Sequence, residues 1–229
     1  MNSSISNVEY KYIKSLINKG ESQQLDFKFA INDSRKIARS IVAFANTDGG
    51  KLLIGVRDNG SIAGVRSDEE LHMVDTAVLL YCNPQVTLIK KLFHVEGRDI
   101  LEVTVPHKQA ERLFAVSEED GRERVYIRIN DNNQIVNSIW LKVWAKKNKP
   151  FNQQIDFTEK ELFFIKQFSN NKKHTFSYLV KITNLHKKII EELLVKFVLF
   201  DILKITFEPT GIFYSENELI DNSKIFSLK

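Results

Sequence analysis

The stretch from Glu21 to Val65 constrains the fold of this chain most, because it sets charged residues and glycines between short apolar runs. Between residues 24 and 30, apolar side chains alternate with Asp26 and Lys28. This alternation is typical of a half-buried strand, since successive side chains of a strand point to opposite faces. The pattern therefore predicts a strand with one face in a core and one face that presents charge.

An amphipathic helix is predicted to follow. Asp33 or Ser34 can cap its first turn, and apolar residues then recur at intervals of three and four up to about Ala45. The solvated side of this helix is predicted to carry three basic residues, which are Arg35, Lys36 and Arg39.

A turn and a second strand come next. Residues 46–50 (Asn-Thr-Asp-Gly-Gly) favour a turn, because asparagine and glycine tolerate positive φ. Residues 51–56 form a short apolar run that predicts a buried strand. Asp58-Asn59-Gly60 then predicts a tight hairpin turn into a further short strand over residues 61–65.

Residues 6–19, 67–81 and 138–146 have the spacing of further helices, and residues 86–95 and 100–105 predict a hairpin. Short strands are also predicted at residues 113–116 and 124–129. Hairpins mixed with helices favour an α+β fold with a mixed sheet and flanking helices. We assign this first domain to residues 1–147.

Composition is that of an ordinary globular protein: 229 residues, 43% hydrophobic and 27% charged. The formal net charge of +4 permits a nucleic-acid partner without requiring one. Cys82 is the single cysteine, so the chain cannot form an intramolecular disulfide. No run approaches the roughly 20 apolar residues that span a bilayer, so we expect a cytoplasmic protein with no membrane partner.

A polar segment with a proline at residues 147–154 predicts a domain boundary, and a second domain follows over residues 155–217, with a tail at 218–229. A capping box, Thr158 to Glu161, opens the first of three predicted helices, and two strands close the domain. This element order is similar to that of a winged helix. Thr183 or Asn184 would then cap the recognition helix.

Lys187 and Lys188 lie in the first turns of that helix, where such helices meet DNA. The same helix carries an apolar run at residues 195–200, so it is equally suited to packing or to dimerisation. A homodimer is one expectation, because winged-helix regulators often bind paired half-sites.

Several separated motifs carry a family resemblance: ES followed by LDFK at residues 21–28, AFANTDGG at 43–50 and LLIGV at 52–56. In this order they resemble the schlafen AlbA-like domain, which schlafen proteins share with many bacterial transcriptional regulators. The resemblance is strongest over residues 17–66 and continues to about 135. There, RVYIRINDNNQIV is similar to the YxRxG strand of the family, with Ile129-Asn130 where the glycine usually stands. The resemblance implies nucleic-acid binding.

In the schlafen branch, the resemblance also implies a metal-dependent endoribonuclease with three acidic residues. By position these are Glu21, Asp26 and Asp58, although Asp26 stands where the family usually has a glutamate. Carboxylates of this kind would hold Mg²⁺ or Mn²⁺ against a scissile phosphate. Lys28 would lie beside them and stabilise the charge on the phosphate.

Nucleic-acid binding requires a less exact arrangement of these residues than catalysis does. We expect a DNA-binding transcriptional regulator that is not an enzyme and needs no cofactor, with DNA or RNA as its partner. The metal-dependent RNase is the alternative, and a non-catalytic protein-interaction module is the second alternative. Backbone N–H groups around Gly49-Gly50 are further candidate phosphate contacts. The candidate nucleic-acid-binding side chains are Lys28, Arg35, Lys36, Arg39, Lys51, Arg57, Arg66, Lys187 and Lys188.

Overall fold

The computed structural model describes residues 2–65, 68–107, 112–147 and 157–217, and side chains from residue 7 onward. It divides into two compact units, residues Met1–Val136 and Asn137–Lys229. Arg66 and the tail at 218–229 lie outside the described residues. None of the helices in the described part of the chain is both long and apolar enough to cross a bilayer.

The first unit contains three helices and nine strands among the described residues. The helices are α1 (Asn2–Lys19), α2 (Ser34–Ala45) and α3 (Glu69–Tyr81). The strands are β1 (Leu25–Lys28), β2 (Gly50–Ile54), β3 (Cys82–Asn83), β4 (Ile89–Val95), β5 (Arg98–Val105), β6 (Phe114–Val116), β7 (Glu123–Arg124), β8 (Tyr126–Ile129) and β9 (Asn132–Ile135).

A mixed four-stranded sheet, in the order β1-β2-β5-β4, organises this unit. Strands β1 and β2 run parallel, with α2 as the crossover between them, and β5 pairs antiparallel with both β2 and β4. Both faces of the sheet are apolar: Leu53 and Phe93 join residues of α1 in one core cluster, whereas Leu52 and Val103 join residues of α2 and α3 in another. The predicted α+β class with a mixed sheet and flanking helices is confirmed.

Helix α2 lies at the centre of the unit. Nine of its twelve residues are buried, and its other three residues are Arg35, Lys36 and Arg39. Asp33 is the N-cap, and its carboxylate accepts a hydrogen bond from the backbone N–H of Arg35. The three basic residues therefore lie on the solvated side of a helix that packing holds in place.

The turn after α2 depends on the side chain of Asn46 as well as on the positive φ of Gly49. Asn46 has an ordinary helical φ of −80°. Its amide donates to the carbonyl oxygens of Leu113 and Tyr126 and accepts from the Leu113 N–H, all within 2.9 Å. Gly49 has φ +68°, and its N–H donates to the Phe44 carbonyl oxygen. This N–H, a candidate phosphate contact, is therefore already hydrogen-bonded within the fold. Asn46 thus ties α2 to the later strands.

The segment after β2 differs from the prediction of a strand at residues 61–65. It forms an isolated bridge between Val56 and Ile62 instead of a continuous ladder. The Ala63 N–H and the Gly64 N–H both donate to the Gly55 carbonyl oxygen. Two adjacent N–H groups that share one acceptor do not form a regular strand ladder.

The second unit contains helices α4 (Ser138–Lys147), α5 (Glu159–Ile165), α6 (Phe176–Thr183) and α7 (Lys187–Leu199), and a short 3₁₀ helix at Lys166–Phe168. Its strands are β10 (His174–Thr175), β11 (Leu203–Glu208) and β12 (Gly211–Glu216), in the antiparallel order β10-β12-β11. The core includes Phe164, Leu194 and Tyr214.

Two details of this unit differ from the sequence prediction. Helix α4, which we predicted at the end of the first domain, places Ile139 and Val143 in the core of the second unit. Residue Asn184 ends α6 in the left-handed conformation, with φ 52°, and His186 is the N-cap of α7. Asparagine is suited to this helix-ending position because it tolerates positive φ. The predicted capping box of Thr158 and Glu161 is present.

Candidate functional site

Asp26 is buried, as are Leu25 and Phe27 on the other face of β1, so the prediction that the face of Asp26 presents charge is wrong at this residue. Its side chain is 4% exposed, and it pairs in register with Leu52, whose side chain is in the core between the sheet and α2. The Arg128 guanidinium, from β8, lies 3.2 Å from Asp26 Oδ1. The physical reason for the correction is this cation, which the sequence places 102 residues away.

Arg128 is a buried cross-link between separate segments. It is 1% exposed, and its guanidinium donates to the carbonyl oxygens of Ser22 and Leu25 at 3.3 Å and to Asn133 Oδ1 at 3.0 Å. Its plane also lies over the Phe44 ring of α2, with the central carbon 5.0 Å from the ring centroid. These acceptors and the Asp26 carboxylate compensate for the loss of hydration of the buried guanidinium.

We did not predict a role for Arg128, although it is the arginine of the segment that resembles the YxRxG strand. A lone arginine among Tyr126, Ile127 and Ile129 was the available signal, since a charged residue in an apolar strand needs a partner. The sequence alone did not name that partner.

Glu21 lies beside Asp26. Its Oε1 accepts a hydrogen bond of 2.8 Å from the Phe27 N–H. Partial burial, together with the negative charge of Asp26, raises the pKa of the Glu21 carboxyl, and the nearby Lys28 ammonium opposes the shift. The structure therefore brings two of the three predicted acids together.

The second carboxylate oxygen of Asp26, Oδ2, has different surroundings from Oδ1. Asp26 Oδ2 is 2.7 Å from Lys28 Nζ, yet among the described residues no donor reaches it in hydrogen-bonding geometry. Lys28 Nζ instead donates to the Phe27 carbonyl oxygen at 2.9 Å. This buried oxygen atom therefore keeps capacity for a further ligand.

Asp58, the third predicted acid, is exposed in the turn after β2. Among the described residues, no three acidic, histidine or cysteine side chains form a group that could hold a metal ion. Glu21 and Asp26 offer the hard oxygen ligands that Mg²⁺ or Mn²⁺ prefers, but two cations already face Asp26. As arranged here, the residues fit a three-acid metal site incompletely.

The predicted basic residues fall into two groups. Lys51 is engaged in the fold: its Nζ donates to Glu102 Oε1 at 2.8 Å, while the Tyr12 hydroxyl donates to Glu102 Oε2 at 2.7 Å. Burial of the ammonium favours its neutral form, but the Glu102 carboxylate outweighs this and raises the pKa of Lys51. Lys28 is likewise beside an acid, as described above.

The second group faces solvent. Lys36 is exposed, and the side chains of Arg35 and Arg39 are 41% and 39% exposed, each with one long carboxylate contact of 3.4 Å. Arg57 is exposed, and its guanidinium carbon lies 4.6 Å from the centroid of the Phe29 ring. In the second unit, Lys187 and Lys188 are exposed in the first turn of α7.

We predict that Arg128→Met lowers the free energy of unfolding by about 3 to 5 kcal/mol, because it leaves the Asp26 carboxylate buried without its cation. The measurement is the urea midpoint of the variant. Adding Asp26→Asn to the same chain should recover part of the loss. The matched control is Arg122→Met at a side chain that is 82% exposed, and an equal loss there would contradict the prediction.

We predict that Glu21→Gln stabilises the fold at neutral pH. A raised carboxyl pKa means that the folded state holds the proton more tightly than the unfolded state. The ionised wild-type residue therefore costs stability as pH rises from 4.5 through the folded pKa. Glutamine keeps the acceptor for the Phe27 N–H and removes the charge.

The expected result is a higher melting temperature than wild type at pH 7, with a difference that vanishes below the ordinary pKa of 4.5. Melting curves across this pH range measure it, with the exposed Glu119→Gln as control. A difference that does not depend on pH would show that the charge of Glu21 is not its cause.

Comparison with known proteins gives the family of the chain. Residues 21–137, about half of the chain, match the family described as Schlafen, AlbA_2. None of the curated protein sequences matches the chain.

The solved structures that are similar in part include the following two. The DIP2311 protein from Corynebacterium diphtheriae is 18% identical, with a TM-score of 0.43 over 86% of this chain and 35% of that chain. This chain thus spans about a third of that protein. The N-terminal domain of a RecG-related protein from Nitrosomonas europaea is 19% identical, with a TM-score of 0.41 over 66% of this chain and 98% of that chain. By the match over residues 21–137, the chain belongs to the Schlafen AlbA_2 family.

Proposed function

We propose that this protein binds nucleic acid through the solvated side of α2 and through other exposed cations of the first unit. The observation that carries the proposal is the composition of α2, in which every residue is buried except Arg35, Lys36 and Arg39. Membership of the Schlafen AlbA_2 family supports the same class of partner.

Cations fixed on a buried helix are suited to phosphate binding. The packed side of α2 holds their backbone in one position, so little backbone freedom is lost when a ligand binds. Each phosphate that is neutralised releases counterions, which gives affinity without regard to base sequence. The exposed pair of Arg57 and Phe29 adds a guanidinium and a ring on which a base can stack.

For the second unit we propose a winged-helix role in DNA binding, and hence in transcriptional regulation. Support comes from the order α5, β10, α6, α7, β11 and β12, with α7 in the position of the recognition helix. Lys187 and Lys188 are exposed at the N-terminal end of α7, the end from which such helices contact DNA.

The expected effect of Arg35→Gln combined with Lys36→Gln is weaker binding to both duplex DNA and structured RNA. The slope of log K against log salt should fall by about 0.9 for each lost contact with duplex DNA and about 0.7 for single strands. Fluorescence anisotropy at several salt concentrations measures both quantities. Lys187→Gln combined with Lys188→Gln tests the second unit in the same assay.

The matched control is Lys90→Gln combined with Lys91→Gln, which removes the same charge from β4. If the control weakens binding as much as the α2 variant, net charge and not the α2 surface is responsible. If wild type binds neither nucleic acid, the proposed function is wrong.

A metal-dependent RNase is the second candidate function. It is favoured by the adjacent carboxyls of Glu21 and Asp26 and by the buried Asp26 Oδ2, which lacks a hydrogen-bond donor among the described residues. Glu21 and Asp26 would hold Mg²⁺ or Mn²⁺, which supplies charge neutralisation at the scissile phosphate when bound. Lys28 would place its ammonium beside the same oxygen.

We expect a nuclease of this type to cut structured RNA with Mn²⁺, to stop with a chelator, and to lose cutting in Glu21→Gln without loss of RNA binding. Gel analysis of labelled RNA measures cutting, and anisotropy measures binding. Asp58→Asn distinguishes a three-acid site, which it would inactivate, from a site of two acids. Intact RNA after incubation with wild type and Mn²⁺ would exclude this candidate.

A further inference from the structure

A small polar cavity lies between α2 and the β6–β7 hairpin, away from the acids of the candidate site. Its volume is about 40 Å³, whereas about 10 to 15 Å³ on this measure is enough for one water molecule. It therefore has room for one tetrahedral anion and is too small for a nucleobase. Its lining is Arg35, Arg39, Val116, Ser117, Glu118, Glu119, Arg124, Tyr126 and Ile135.

Arg39 brings an unmet donor to this cavity. Its Nε is buried and has no hydrogen-bond partner among the described residues. One of its terminal nitrogens contacts Glu118 Oε1 at 3.4 Å, which is too long for a strong charge-assisted hydrogen bond. A guanidinium with a buried, unpartnered N–H is a site for an acceptor oxygen.

Arg124 also lines the cavity, and its guanidinium is held in place. Its Nη1 donates to Ser117 Oγ at 2.6 Å, and its Nη2 donates to Asp120 Oδ2 at 2.8 Å. Ser117 is itself buried, with 4% exposure. Arg124 is therefore preorganised beside Arg39, so an anion between them would meet two guanidinium groups without prior rearrangement of Arg124.

Two carboxylates of the lining would compete with a bound anion for the arginines. Glu118 is 28% exposed and reaches Arg39 only at 3.4 Å, while Glu119 is 79% exposed and lies 3.6 Å from Arg124. Both carboxylates make long contacts and one of them faces solvent, so both can move aside. Three arginines and two glutamates line the cavity, and Asp120, the ion-pair partner of Arg124, lies outside the lining.

We infer that this cavity binds a single phosphate group, between the guanidinium groups of Arg39 and Arg124 and in place of the Glu118 carboxylate. The phosphate belongs either to a polynucleotide backbone or to a free phosphate. The polynucleotide source rests on the proposed function, whereas the anion site itself does not. Arginine suits this role because its planar fork donates to two phosphate oxygens at once.

The test follows the Arg39 Nε–H signal in ¹⁵N-labelled full-length protein by NMR, during titration with inorganic phosphate and, separately, with a short single-stranded oligonucleotide. If the cavity binds phosphate, this signal should shift and the shift should saturate in at least one titration. If the phosphate belongs to a polynucleotide, Arg39→Gln should reduce oligonucleotide affinity at least tenfold and lower the salt slope by about 0.7.

Two further variants make the test specific. Glu118→Gln removes the competing carboxylate and should increase affinity severalfold. Arg122→Gln removes a cation that is 82% exposed and does not line the cavity, so its affinity should stay within twofold of wild type. Melting curves of all variants verify folding, and the gain expected for Glu118→Gln cannot result from unfolding.

The outcomes separate this inference from the proposed function. Oligonucleotide binding that Arg39→Gln and Glu118→Gln leave unchanged, together with an Arg39 signal that does not shift with phosphate, overturns the cavity and leaves the proposed function intact. A saturable phosphate shift in a protein that binds neither duplex DNA nor structured RNA supports the cavity and overturns the proposed function. An Arg39 signal that moves in neither titration overturns the inference.

Discussion

The buried pair of Asp26 and Arg128 is the interaction on which the first unit depends. It joins β1 to β8, and through Asn133 and Phe44 the same guanidinium reaches β9 and α2. Removing two charges from water is costly unless their remaining donors and acceptors are satisfied. Backbone carbonyl oxygens of Ser22 and Leu25 supply those acceptors, so the chain before β1 is fixed together with the pair.

The same pair shapes the chemistry of the acidic site. The family resemblance puts Asp26 at the position of a nuclease acid, yet one of its oxygen atoms is hydrogen-bonded to Arg128 within the fold. Its other oxygen and the neighbouring Glu21 retain capacity for a ligand. Metal binding at this carboxylate would therefore compete with its structural ion pair, whereas the cations on α2 form no buried ion pair of this kind with the residues that the structure describes. This difference is why binding is the first candidate function and cleavage the second.

Much of the local structure could be predicted from the sequence, because its causes are local. The β4–β5 hairpin, the strand-helix-strand order and the Thr158 capping box follow from side-chain periodicity and from residues a few positions apart. The solvated position of Arg35, Lys36 and Arg39 on α2 was predicted for the same reason. The role of Asn46 could not be predicted in this way. Its side-chain amide forms hydrogen bonds with Leu113 and Tyr126, which lie many residues away in the sequence.

The sequence by itself determined the family, the α+β class and which residues bear charge, since these are properties of motifs and of spacing along the chain. Only the tertiary structure decided which charges are buried. Asp26 faces the core, Asp58 remains exposed, and Arg124 joins Arg39 around one cavity. The physical reason is that the environment of a charged group is set by partners brought near by folding, and here the decisive partner of Asp26 is 102 residues away.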